Sequence, residues 1–203
     1  MVTAAPAAVL VNAYDASTVS DGDTSWTDSA GSNNATFQNG VADVTANDPS
    51  PIALNRAVIF TGGTFELSLT SFQPANADAS IEAWFRPELD ASGDALSGNI
   101  YETGAGNGLG LSLGSTTNGE TTIRGAISSG GVTEVTTTFD FEPGQDFVQV
   151  VLTVDDTALS LYVNGQLAAT TPGVSGDWTG TDSAGIGGSR GGGGGGIDVN
   201  DNF

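Results

Sequence analysis

"VQVVLTVDDTALSLYVNGQLAAT", from Val148 to Thr170, decides the fold. Val148, Val150, Leu152 and Val154 fall on one face of an extended chain, with Phe147 and Val151 on the other, which predicts an inner strand covered on both sides. Asp155-Asp156 breaks the run before "TALSLYV" resumes it. Asn164-Gly165 then stands between Leu161-Tyr162-Val163 and Gln166-Leu167, and Asn-Gly is the favoured pair for a tight hairpin because both central residues take positive φ. Two hairpins in one stretch of this length make an antiparallel sheet.

Outward from this stretch the same period recurs. Phe65, Leu67 and Leu69 alternate with Glu66 and Ser68, and Leu109, Leu111 and Leu113 alternate with Gly110 and Ser112. In "VTEVTTTFDF", Val135, Thr137, Phe139 and Phe141 face one way, while Glu134, Thr136, Thr138 and Asp140 face the other. Such runs are half-buried strands, and no stretch carries a useful helical period. Many short strands with turns between them predict an all-β, antiparallel two-sheet jelly-roll sandwich. The chain has 203 residues, enough for one sizeable core. "NDPSPIALN" (47–55) reads as a loop, because strand-like segments continue on both sides. A single domain over 1–203 is expected.

Composition removes several classes of function. The formal net charge is -20, with 4 basic residues, all arginine, against 24 acidic ones. Phosphate neutralisation of nucleic acid is therefore not available. There is no cysteine and no histidine, which removes disulfides, thiolate or imidazole metal sites and a Ser-His-Asp triad. No apolar run reaches membrane-spanning length, and membrane insertion is not expected. The opening "MVTAAPAAVLVNAYDAS" lacks the basic start and long apolar centre of a signal peptide. Acidic, lysine-free chains suit concentrated salt, where screening blunts self-repulsion, so a halophilic source is expected.

The order of motifs resembles the laminin-G-like jelly roll of the concanavalin A-like lectin and glucanase superfamily. "VNAYDAS", "SWTDSAGSNNATFQNG", "RAVIFTGG", "SIEAWFRP" (80–87), the 148–170 stretch, "AGIGGSR" and "GGID" follow one another as in that family. Phe147 stands where the family often has Trp or His, and only Val199 to Phe203 remain for a closing strand. The resemblance implies a structural calcium held between an Asp-Ser-x-Gly loop and the terminal Ile-Asp, here Asp28 and Asp198 with Asn33 beside them. Hard oxygen donors in "DGDTSWTDSAGSNN" (21–34) suit that ion, although turn acids of this kind also serve simply as solvated loop residues.

Glucanases of the superfamily place two carboxylates on one strand, about 5 to 5.5 Å apart across the sugar. None of Glu66, Glu82, Glu88, Glu102, Glu120, Glu134 and Glu142 has an Asp and a second Glu at strand spacing. The expectation is therefore a non-catalytic module that recognises a glycan or cell-surface protein. A glycoside-acting enzyme with carboxylates drawn from distant segments is the remaining catalytic alternative.

"GGSRGGGGGGID" (187–198) contains six consecutive glycines. A phosphate loop needs a lysine the chain lacks, so the run reads as a loop at a rim, where bare backbone allows close approach. Trp178, able to stack on a sugar, Arg190, the cation near that end, and Tyr101 are the candidate ligand-binding residues. Domains of this kind work outside cells. A chain without a signal peptide fits one displayed on a virion or extracellular assembly, with capsid or assembly proteins as partners and a homo-oligomer as a possible state. The structural alternative is a decoration, turret or fibre protein.

Overall fold

The computed structural model describes residues 12–37, 43–46, 56–60, 67–69, 78–95, 97–103, 108–128, 132–155, 157–174 and 184–187. Every strand pairing among them is antiparallel. In chain order the strands are β1 (Ser25–Trp26), β2 (Ala35–Phe37), β3 (Asp43–Ala46), β4 (Arg56–Ile59), β5 (Leu67–Leu69), β6 (Ala79–Phe85) and β7 (Gly98–Thr103). They continue with β8 (Leu109–Thr117), β9 (Glu120–Ser128), β10 (Val132–Asp140), β11 (Val148–Val154), β12 (Ala158–Val163), β13 (Gln166–Pro172) and β14 (Ala184–Ile186). One short 3-10 turn, Ala16–Thr18, precedes them, held by Asp15, whose carboxylate accepts the Ser17 N–H.

The large sheet runs β1-β2-β5-β14-β7-β8-β9-β10, the small one β13-β12-β11-β6, and β3-β4 form a separate hairpin. The two larger sheets face each other across an apolar layer. Leu109, Leu111 and Leu113 from β8, Ile123 and Ile127 from β9 and Val135 from β10 meet Val148, Val150, Leu152 and Val154 from β11 and Leu159 and Leu161 from β12. This is the jelly-roll sandwich expected from the alternation, and it forms because period-two chains can hide one face only against another such face. At the far end of the large sheet, Ala16, Val19, Trp26, Ala35, Phe37, Tyr101 and Ala184 form a second cluster.

Glycine sets the spacing of the two layers. Gly125 on β9 lies directly over Leu152, and a Cβ there would run into the Leu152 methyl groups. The hairpin expected at Asn164-Gly165 has the positive φ values of 49° and 76° that its turn requires. Asn118-Gly119 turns β8 into β9 by the same means. At the other break, the Asp155 carboxylate accepts from the Thr157 hydroxyl and N–H and from the Ala158 N–H, and these bonds hold it below the ordinary carboxylate range.

The inner strand differs from expectation on one side. In β11, Val148, Val150, Leu152 and Val154 are buried, whereas Gln149, Val151 and Thr153 are half-buried. The small sheet keeps one face toward the outside, so β11 is interior within its sheet and not between layers.

Candidate functional site

The loop that leads from β1 to β2 centres on Asp28, which is 4% exposed. Its Oδ1 accepts the N–H groups of Ala13 at 2.9 Å, Ala30 at 3.1 Å and Gly31 at 2.9 Å. Its Oδ2 accepts the Asn12 amide at 2.6 Å and the Asn33 N–H at 3.1 Å. The Asp28 N–H in turn donates to the Asn34 side chain, and the Tyr14 hydroxyl donates to the Asn33 carbonyl. Burial pushes the Asp28 carboxyl up, but the N–H groups of Ala13, Asn33 and Gly31 and the Asn12 amide outweigh it and hold the group at about 2. Burial, and then the Asp28 charge, pushes the Tyr14 phenol up.

These bonds bear directly on calcium. A carboxylate offers about four lone-pair positions, and five N–H donors already occupy those of Asp28. The Asn33 carbonyl is occupied as well. Calcium needs oxygens whose lone pairs point at the ion, so Asp28 and Asn33 do not fit it in this arrangement. Among the described residues no three Asp or Glu side chains cluster as a metal site would require. Asp198 lies outside the described residues.

Of the aromatic and cationic candidates, Trp178 and Arg190 also lie outside the described residues. Tyr101 does not stand at an open rim. It is 8% exposed within the second cluster, on the face of β7 that packs inward, and burial followed by the nearby Tyr14 pushes its phenol up. At the start of the glycine-rich stretch, Gly187 has a φ of 71°, donates its N–H to the Ile100 carbonyl at 3.2 Å, and has no room for a Cβ against the Phe60 ring. Close backbone approach is therefore real at Gly187, and its partner there is the protein's own Phe60. The six-glycine run itself, Gly191 to Gly196, is outside the described residues.

A different place collects unspent polar chemistry: the face of the large sheet turned away from the core. Because Leu109, Leu111 and Leu113 point inward, Gly110 and Ser112 point outward. Ladder register then sets Asn99, Ser112, Arg124 and Thr136 side by side across β7, β8, β9 and β10. The next row is Gly185, Glu102, Gly110, Ala126 and Glu134. In this row Glu102 and Glu134 flank Gly110 and Ala126, both buried, and Gly185 lies beyond Glu102.

Burial grades along these rows. Ser112 is 1% exposed and Glu102 6%, whereas the side chains of Arg124 and Glu134 are 25% and 41% exposed. The Asn99 amide donates to Glu102 Oε2 at 3.0 Å, and Arg124 Nη2 pairs with Glu134 Oε1. Ser112 Oγ and Arg124 Nε, on directly opposed residues, are buried and find no hydrogen-bond partner among the described residues. A buried polar group left unmade costs about 1 to 3 kcal/mol, and native chains keep very few. Here two of them fall on one cross-strand pair.

The same geometry bears on catalysis. Glu102 on β7 and Glu134 on β10 share a row but stand three strand spacings apart, about 14 Å between their backbones. Carboxyl pairs of glycoside hydrolases stand about 5 to 5.5 Å or 6.5 to 9.5 Å apart. The sequence contained part of this site, since the outward positions of "LGLSLG" were readable from the leucine alternation. Which residues of β7, β9 and β10 lie beside them is a matter of register, and no local signal carries that.

A two-sheet antiparallel sandwich of this strand order is a jelly roll. Residues 60–199, more than half of the chain, match the laminin-G type model described as the concanavalin A-like lectin/glucanases superfamily, and the chain belongs to that family. Comparison of the sequence with curated proteins finds no match. Among solved structures, it resembles domain 4 of AbnA, a GH43 extracellular arabinanase from Geobacillus stearothermophilus, in complex with arabinotriose. The TM-score is 0.58 and the identity 19%, over 82% of this chain and 78% of that one. The botulinum neurotoxin serotype D binding domain is similar with a TM-score of 0.57 and 16% identity, over 85% of this chain and 43% of that one. These likenesses establish the shared fold.

Proposed function

We propose that the chain is a non-catalytic recognition module that binds glycan on a surface outside the cell. The observation that carries this reading is the fold, a concanavalin A-like jelly roll matched over residues 60–199 in a chain with no Glu-x-Asp-x-Glu run. The arabinanase domain of the same fold was solved with arabinotriose, and the neurotoxin region is a binding domain, which supports the reading by analogy of fold.

The narrower form of the proposal is display on a virion or other extracellular assembly in a high-salt setting. The charge of -20 without lysine supports the salt part. Trp178 and Arg190 are proposed as a stacking face and a forked donor at the rim. Immobilised glycans and arabinotriose in solution test the main reading: saturable binding without product release is expected, and hydrolysis of the bound glycan would overturn the non-catalytic part. Melting in dilute and in multimolar NaCl tests the salt part, with a higher midpoint expected at high salt and equal midpoints ending it.

A further inference from the structure

Resting on the recognition reading, we infer that the open cleft at the end of the sandwich where β6 and β10 stop and β11 begins takes one neutral sugar ring of the glycan, with Glu142 and Asp146 accepting from its hydroxyls and Arg86 donating to them. Local sequence builds both walls. Pro143-Gly144 makes a tight turn, in which Gly144 has a φ of 78° and the Gln145 N–H donates to the Glu142 carbonyl at 3.0 Å. The Gln145 side chain fastens the same turn, its Oε1 accepting the Glu142 N–H at 2.8 Å. On the other wall β6 ends at Phe85, since Pro87 brings no N–H to a ladder. Arg86 follows β6, and its guanidinium lies over the Phe147 ring, 5.4 Å from the ring centre, which holds the cation at the mouth.

Size and lining select the occupant. The cleft measures about 180 Å³, room for about six waters at their share of the liquid and less than the roughly 300 to 1,000 Å³ that holds a drug-sized ligand. It therefore suits one ring of a chain that continues into solvent. The inner side is apolar: Phe141 and Pro87 are buried and Leu89 is half-buried. Phe141 is fixed there by the rings of Phe85 and Phe139, at 6.0 and 4.9 Å between centres. The mouth is polar, with Arg86, Glu142 and Asp146 all exposed. A sugar ring matches both, with C–H groups on its face and hydroxyls round its edge, and a hydroxyl can donate to a carboxylate and accept from a guanidinium. A purely apolar ligand would strip water from the carboxylates and return no bond. Acidic sugars are disfavoured, because two carboxylates face one guanidinium at the mouth of a protein of net charge -20.

Titration calorimetry of the whole chain against neutral arabino-, xylo- and gluco-oligosaccharides and against oligogalacturonate tests this. Neutral sugars should bind at least about tenfold more tightly than the acidic one, a gap of about 1.4 kcal/mol. Glu142→Ala and Asp146→Ala should each weaken neutral binding about tenfold, with the melting midpoint unchanged because both side chains are exposed. Arg86→Ala should weaken it as well. Glu142→Gln combined with Asp146→Asn removes both charges and should shrink the gap between neutral and acidic sugars. Equal affinity for oligogalacturonate in the wild type, an unchanged gap in the double amide variant, or full neutral binding in both alanine variants of the acids overturns the inference and leaves glycan recognition standing. Failure of the wild type to bind any glycan overturns both.

Discussion

Asp28 and Ser112 are both polar and both nearly sealed from water, yet their surroundings are opposite. The Asp28 carboxylate is met by N–H donors from both sides of its loop, including Ala13 and Asn12 from a segment 15 and 16 residues away. Ser112 is met by nothing among the described residues, nor is the Arg124 Nε across the ladder from it. A fold keeps a fully bonded buried charge because that charge ties segments together. It keeps unbonded polar atoms at a cost, and such a cost persists where a ligand removes it. The acidic loop that resembles a metal site is thus an internal clasp, while β8 and β9 hold an unbonded polar pair.

The sharpest way to break this contrast is Asp28→Ala. It leaves five part-buried donors without an acceptor and should lower stability by about 2 to 4 kcal/mol, read by chemical denaturation, whereas Ser112→Ala should leave the denaturation midpoint in place. A small loss at Asp28 would mean that the clasp is dispensable. The clasp also has a pH signature. The carboxyl titrates at about 2 in the fold and near 4 when unfolded, so its contribution is complete above pH ~4 and fades as pH falls toward ~2. Asp28→Asn should flatten that part of the acid-unfolding profile.

Next in size is Gly125→Ala, where a methyl would push Leu152 out of the layer between the sheets. Overpacking of this kind costs about 1 to 3 kcal/mol. Differential scanning calorimetry should show a lowered midpoint. The smallest expected effect is that of calcium. With the Asp28 oxygens already occupied, the melting midpoint should be the same in millimolar Ca²⁺ and in chelator, and a rise with Ca²⁺ would show that the clasp opens to admit the ion.

The strands were legible because hydrophobic period two is a local property. Leu109, Leu111 and Leu113 announce both a buried face and, by the same token, where Ser112 points. Asn164-Gly165 announced its hairpin because only certain residues accept positive φ there. Tyr101 was misread as a rim residue because an aromatic on a strand can face either side, and the second apolar cluster that claims it is assembled from residues as distant as Ala16 and Ala184. Asp28 was read as a metal ligand because an acidic, turn-rich loop looks the same in sequence whether its oxygens face an ion or N–H groups.

By itself the sequence determined an acidic all-β sandwich with no thiol, no imidazole and no carboxylate pair along one strand. Those are facts of composition and short-range period, and they hold however the strands are ordered. Only the tertiary structure decided that Ser112 lies opposite Arg124 and in the same row as Asn99, and that Glu102 and Glu134 share a row three strands apart. Register across a ladder depends on how far each chain slides before its neighbour's side chains interlock with its own. That sliding is settled by packing between β8, β9 and the sheet beneath them, through contacts that no single stretch of the chain contains.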